Sequence, residues 1–154
     1  MTVAKNLFQL NSLRNNYMLS TLTLTRGILH EVGIMLASVL TTVGEEWIVD
    51  KLDETVQATG DYIGWGTGAG TAAKGDTTLF TEASESRVSA TRSQPSGSII
   101  RWVATMTADG TKTITNAGNF TASTGGTLIC HGDFTGKLLA LGDKIEFTID
   151  LEIQ

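Results

Sequence analysis

The sequence predicts a mainly β protein: an antiparallel β-sandwich or jelly-roll-like body, preceded by an α-helical segment and an extended N-terminal arm. Three observations predict it. Thr, Ser and Gly supply 51 of 154 residues against a single proline, Pro95; threonine suits a pleated surface and glycine supplies turn positions with φ > 0. From residue 61 the apolar period is two, in six or seven short runs divided by turn signals, the pattern of a sandwich or jelly roll. Composition also shifts near residue 60, with three glycines before it and fourteen from it onward. The expected division is an arm over 1–25, a helical segment over 26–60 packed on the body, and a β-sandwich over 61–154. This is one domain's length. A chain of this size buries roughly 68% of its extended surface, enough for a core without staples.

Residues 1–25 lack helical periodicity, interrupted by Asn6, Asn11, Asn15 and Asn16, and Thr21 to Thr25 alternates at period two. That predicts an extended arm with one strand at 20–25. Its apolar residues Leu7, Phe8, Leu10, Leu13, Tyr17, Met18 and Leu19 call for a partner surface. Residues 27–57 read as helix: Ile28, Val32, Met35, Val39 and Val43 follow helical spacing, and Leu29, Leu36, Leu40 and Trp47 widen the stripe. Thr42, Val43 and Gly44 form a weak spot, so either a kinked helix or two short helices is expected, stopped at Gly60.

The strand readings follow in order. Asp61 to Gly66 runs into a glycine loop, Gly66 to Gly75, read as flexible. Ser86 to Arg92 precedes a Pro95/Gly97 turn. Ile99 to Thr107 places Ile100, Trp102, Ala104 and Met106 on one face, and a hairpin turn at 108–111 leads to Lys112–Asn116. Thr127 to Phe134 follows. In the final run Ile145, Phe147, Ile149, Leu151 and Ile153 alternate with Glu146, Thr148, Asp150, Glu152 and Gln154, so one face belongs to a core and the other to solvent.

Charge narrows the function classes. The net charge is −5, which disfavours a nucleic-acid-binding protein. The first thirty residues carry Lys5, Arg14 and Arg26 with no acid, whereas the remaining 124 carry net −8. The arm therefore has a role distinct from the acidic body. No secretory signal or bilayer-spanning run is read, so a soluble protein or a member of a soluble assembly is expected.

The sequence carries no motif of a catalytic or metal site. The run from Gly64 to Gly70 fits neither the dinucleotide fingerprint nor the nucleotide P-loop. Cys130, the single cysteine, and His131 are strand neighbours and point to opposite faces; they read as a buried thiol and an ordinary polar histidine. Two histidines and one cysteine offer too few zinc ligands. Glu82 and Glu85, at i and i+3, read as flanking a short turn or helix rather than as a catalytic pair. Asn119-Phe120-Thr121 is a sequon of chance frequency. Trp102 reads as core, with Trp65 beside the glycine loop left open. No catalytic, cofactor or metal residue is expected.

Two runs carry a resemblance. Tyr62 to Gly68, then Ala72, Asp76-Thr77, Leu79, Glu82 and Arg87-Val88, resembles a segment reading approximately YIGLGTGTxxPxxxDTxLxxExxR in small virion structural proteins of tailed bacteriophages. Thr113 to Phe120, followed by Ser123 to Leu128, is similar to that group's "ITEAGLFNAxSGGTLL" hairpin. The resemblance spans about residues 61–153. Trp65 stands for the usual leucine, Ala73 near the usual proline, and Asn116 for the usual glutamate. It implies a β-sandwich of the capsid decoration (cement) or tail-associated structural kind, without catalysis.

The expected function is a phage capsid decoration protein on the outer capsid surface of the virion, bridging capsid subunits to stabilise the head. The expected partners are the major capsid protein and the protein's own copies, as a homotrimer, with no nucleic acid, membrane or small-molecule substrate. The expected partner-binding residues lie in the arm: Lys5, Leu7, Phe8, Leu10, Leu13, Arg14, Tyr17 and Arg26. The alternative is a tail, neck or fibre-associated protein that contacts a host receptor; a carbohydrate-binding module or enzyme ranks third.

Overall fold

The computed structural model describes residues 18–26, 29–34, 37–55 and 58–152, with side chains from Ser38 onward. The elements are β1 (Met18–Arg26), β2 (Leu29–Ile34), β3 (Ala37–Leu40), α1 (Thr42–Leu52), β4 (Tyr62–Gly66), β5 (Val88–Ser89), β6 (Thr91–Ser96), β7 (Ile99–Thr107), β8 (Lys112–Phe120), β9 (Leu128–Leu139) and β10 (Lys144–Glu152). They form two five-stranded sheets, ordered β2-β1-β10-β7-β6 and β3-β9-β8-β4-β5. Every pairing is antiparallel. The mainly β, sandwich-like body that the alternation predicts is present.

The core lies between the sheets because each contributes one apolar face. Ile145, Phe147, Ile149 and Leu151 of β10 are all buried, as their alternation requires. They meet Trp65 and Ile63 of β4 and Phe134 of β9. Trp65 packs edge-on against Phe147 at 6.1 Å between centroids, the geometry that aromatic quadrupoles favour. Trp102 is fully buried and its Nε1 donates to Asp61 Oδ1 at 3.0 Å, so its polar tip is satisfied. On the opposite face of β10, Asp150 is nevertheless 4% exposed. Arg101, its partner across the β7–β10 ladder, reaches it with two hydrogen bonds of 2.7 and 2.5 Å, so the charge is matched bidentately.

The segment 26–60 departs from the helical expectation. Residues 29–34 and 37–40 are strands, and the helix occupies only Thr42–Leu52. The apolar run satisfies both periods, because a nearly continuous apolar stretch cannot separate a buried strand from a helix. Val32, Ile34 and Val39 are β-branched and Gly33 interrupts the stripe, which tips the balance towards strand. Pairing completes the choice: β2 lies beside β1, and β3 forms the edge next to β9.

The weak spot at 42–44 is the helix start. Thr41 is its N-cap, accepting from Gly44 N at 2.9 Å while its hydroxyl donates to Leu128 O at 2.6 Å. Gly44 is needed for proximity, since a Cβ there would overlap the Ile129 carbonyl oxygen. The helix ends at Asp53 rather than Gly60. Gly60, at φ 71°, instead lets the chain pass over Ile129 and Trp47.

The arm boundary also moves. β1 pairs with β10 from Met18 to Thr25 and with β2 from Thr21 to Arg26, so residues 18–25 belong to the body. Pro95 lies within β6 rather than in a turn. Proline is tolerated there because β6 is an edge strand with a register shift between Ser93 and Ser96.

Candidate functional site

The most elaborately held surface is the outer face of the second sheet, which residues 67–87 cover. The approach begins at glycine positions. Gly64, Gly66 and Gly118 share this face, and a Cβ on Gly66 would lie 2.5 Å from Phe80 O. Backbone bonds then continue the pairing: Thr67 N to Thr81 O at 2.9 Å, Gly68 N to Phe80 O at 2.8 Å, and Ala83 N to Trp65 O at 3.0 Å. The glycine run thus serves close backbone approach, not the flexible loop expected from composition. Leu79, Phe120 and Leu128, with Tyr62 against them, form a small second core beneath it.

Three polar side chains lock the segment from below. Asn116 is fully buried on β8. Its Oδ1 accepts from Phe80 N at 3.1 Å, while its Nδ2 donates to Gly68 O at 3.2 Å and Phe80 O at 3.1 Å. Those partners fix the amide's orientation. His131, also fully buried, lies 3.2 Å from Asn116 Oδ1 through Nε2 and 2.7 Å from Asp76 Oδ2 through Nδ1. Phe80 packs on the imidazole at 4.6 Å. Two residues along β9, Asp133 accepts from Ala72 N at 2.7 Å.

The opposite-face reading of Cys130 and His131 holds: Cys130 faces the core, where burial pushes its thiol up. His131 is more than an ordinary polar histidine. Period two already put it on one face with Asp133, but the partners Asp76 and Asn116 lie 55 and 15 residues away. Only tertiary structure joins them.

The two glutamates have separate tasks. Glu82 pairs with Arg87 through two bonds of 2.6 and 2.9 Å. Arg87 also donates to Ala122 O at 3.1 Å and Gly125 O at 2.5 Å and lies 3.3 Å over the Phe120 ring. It ties the segment to the β8–β9 turn. Glu85 accepts from Trp65 Nε1 at 3.1 Å and Asp109 N at 3.2 Å and pairs with Lys112 at 2.5 Å. Burial disfavours both charged forms. The hydrogen bonds outweigh it, holding the Glu85 carboxyl below its ordinary range and the Lys112 ammonium above its own. Asn119, the sequon residue, is fully buried, accepting from Cys130 N and donating to Gly60 O.

Of the arm residues, Lys5, Leu7, Phe8, Leu10, Leu13, Arg14 and Tyr17 lie outside the described residues. Arg26 is the last residue of β1, paired along the backbone with Leu29. The structure adds a surface that sequence reasoning missed. Trp47 turns into the core, leaving Glu46, Val49, Asp50, Leu52 and Asp53 exposed on α1. The missed signal was the helix's true start at Thr42, which fixes which residues face outward. Among the described residues, no group of three or more His, Cys, Asp or Glu could hold a metal ion. No helix among them is long and apolar enough to cross a membrane.

Comparison with known proteins finds no matching family model, no matching curated protein and no matching solved structure.

Proposed function

We propose that this chain is a capsid decoration protein of a tailed phage, binding the outer shell and bridging capsid subunits, with the tail- or fibre-associated role as the alternative. The observation that carries the reading is where the resemblance residues fall. Tyr62–Gly66 forms β4, and Asp76, Leu79, Glu82 and Arg87 are the contacts that hold the segment 67–87 to the second sheet. Ser123–Leu128 covers most of the β8–β9 turn that Arg87 grips and the first residue of β9. The shared motif therefore marks one interlocked unit rather than scattered turn residues. Asn116, which replaces the group's glutamate, still serves that unit through four backbone and side-chain partners.

Such a unit suits a bridging protein, because polar staples and two apolar layers resist shear without any chemistry. No catalytic role is assigned. A receptor-contacting role would call for exposed aromatic residues, but Trp65, beside the glycine loop, is 1% exposed within the core and offers no contact surface.

Quantifying the protein on purified particles against the major capsid protein tests the reading. Hundreds of copies, removable from intact heads with loss of mechanical or thermal resistance, are expected. About a dozen copies or fewer, located on the tail, would overturn it in favour of the alternative.

A further inference from the structure

We propose that the exposed face of α1 is the docking surface for residues 1–17 of a second copy of this chain. The proposal rests on the bridging-arm reading above and names the arm's partner among the protein's own copies.

Four large apolar residues are strongly exposed among the described residues: Val49 (62%), Leu52 (82%), Leu138 (57%) and Leu141 (74%). They form two patches, and charge separates them. Val49 and Leu52 are one helical turn apart, and the exposed acids Glu46, Asp50 and Asp53 around them outnumber the helix's one cation, Lys51, which lies over the Trp47 ring. Leu138 and Leu141 lie between Lys137 and Lys144 in the chain, with Asp143 in the same stretch. Residues 1–17 carry Lys5 and Arg14, no acid, and Leu7, Phe8, Leu10 and Leu13 between those two charges. An apolar stretch bounded by two cations complements an apolar pair rimmed by acids. The stretch around Leu138 and Leu141, with two cations and one acid, lacks such an acidic rim.

Reach permits the contact. β1 begins at Met18, and seventeen preceding residues can extend at most about 60 Å. A folded body of this size has a radius of gyration of roughly 14 Å, so the segment can span to a neighbour. Each copy then presents one arm and one acceptor patch. That contact is heterologous, and it closes into a ring when the rotation allows.

The test uses the full chain. Phe8→Cys with Leu52→Cys, oxidised, should yield covalent dimers and higher species in denaturing electrophoresis, whereas Phe8→Cys with Leu141→Cys should not. Cys130 is fully buried and stays out of the exchange. Leu52→Asp should convert the oligomer seen by sedimentation to monomer with an unchanged circular dichroism spectrum, since Leu52 packs against nothing within its own copy, while the thermal midpoint falls to that of the dissociated wild type at high dilution. Three results would overturn the proposal: only intramolecular disulfides, a Leu52→Asp protein that stays oligomeric, or a wild-type chain that is monomeric throughout. Occupancy on empty shells, measured in parallel, separates this from the capsid reading. A monomeric wild type that still occupies shells through its arm sinks the α1 contact alone, and absence of shell binding beside an intact oligomer sinks only the capsid role.

Discussion

Ile149 and Thr148 are adjacent in β10 yet face opposite sides of the first sheet. Ile149 is fully buried, whereas Thr148 is half-buried beside Val103 and Thr21 in the ladder. Ile149→Ala should cost about 2–5 kcal/mol through lost burial and the cavity left behind. Thr148→Ala should cost well under half of that. Urea-unfolding midpoints of the two variants decide it, and equal losses would mean the faces are assigned wrongly. Glu85 supplies the residue-scale pH dependence. Its carboxyl is held below the ordinary range by Lys112, Trp65 and the Asp109 amide, against its burial. A carboxyl depressed in the folded state contributes stability that is present above its unfolded value and lost as pH falls through the folded one. Glu85→Gln should therefore be less stable at neutral pH and show a shallower acid limb. An acid limb identical to wild type would exclude Glu85 as a contributor.

At the scale of elements, α1 shows a propensity argument meeting a packing constraint. Alanine is favoured over glycine inside a helix by about 1 kcal/mol, so propensity alone predicts that Gly44→Ala stabilises. The Cβ would, however, overlap the Ile129 carbonyl of β9, and a backbone atom cannot rotate aside as a side chain can. Overpacking of this kind costs about 1–3 kcal/mol, which exceeds the propensity gain. Thermal denaturation should show Gly44→Ala destabilised; a stabilised variant would mean that α1 shifts freely on β9. Much of the body was legible because period two survives wherever one face meets solvent, as in β7 and β10. The segment 29–40 was not, because a run apolar at eight of its twelve positions fits both periods until β1 and β9 supply partners. The buried His131–Asp76–Asn116 network was not legible either, since its members come from a loop and two strands with no shared spacing. Gly64 and Gly66 were visible as a glycine run, but their purpose shows only once Phe80 and Glu82 lie across them.

For the whole molecule, the decisive boundary is where the arm ends and the sandwich begins. The missing helical periodicity predicts an arm that runs to residue 25, but β1 occupies an interior place in the first sheet, between β2 and β10. Deleting 1–25 removes a strand paired on both sides: β10 loses the partner it holds across eight residues, and β2 loses its neighbour in the sheet. The backbone groups of β10 would then face outward as an unpaired edge, and such an edge invites association with other chains. Deleting 1–16 leaves every one of those pairings. The chain 17–154 should therefore keep a cooperative unfolding transition close to that of the full chain and lose shell occupancy sharply. The chain 26–154 should aggregate or unfold without cooperativity. Circular dichroism melts, light scattering and shell occupancy of both truncations provide the comparison. If 26–154 melted like the full chain, β1 would be dispensable and its place in the sheet would need reassignment. If 17–154 occupied shells as tightly as the full chain, the affinity would have to lie on the sandwich itself, and the arm would be relieved of the bridging role.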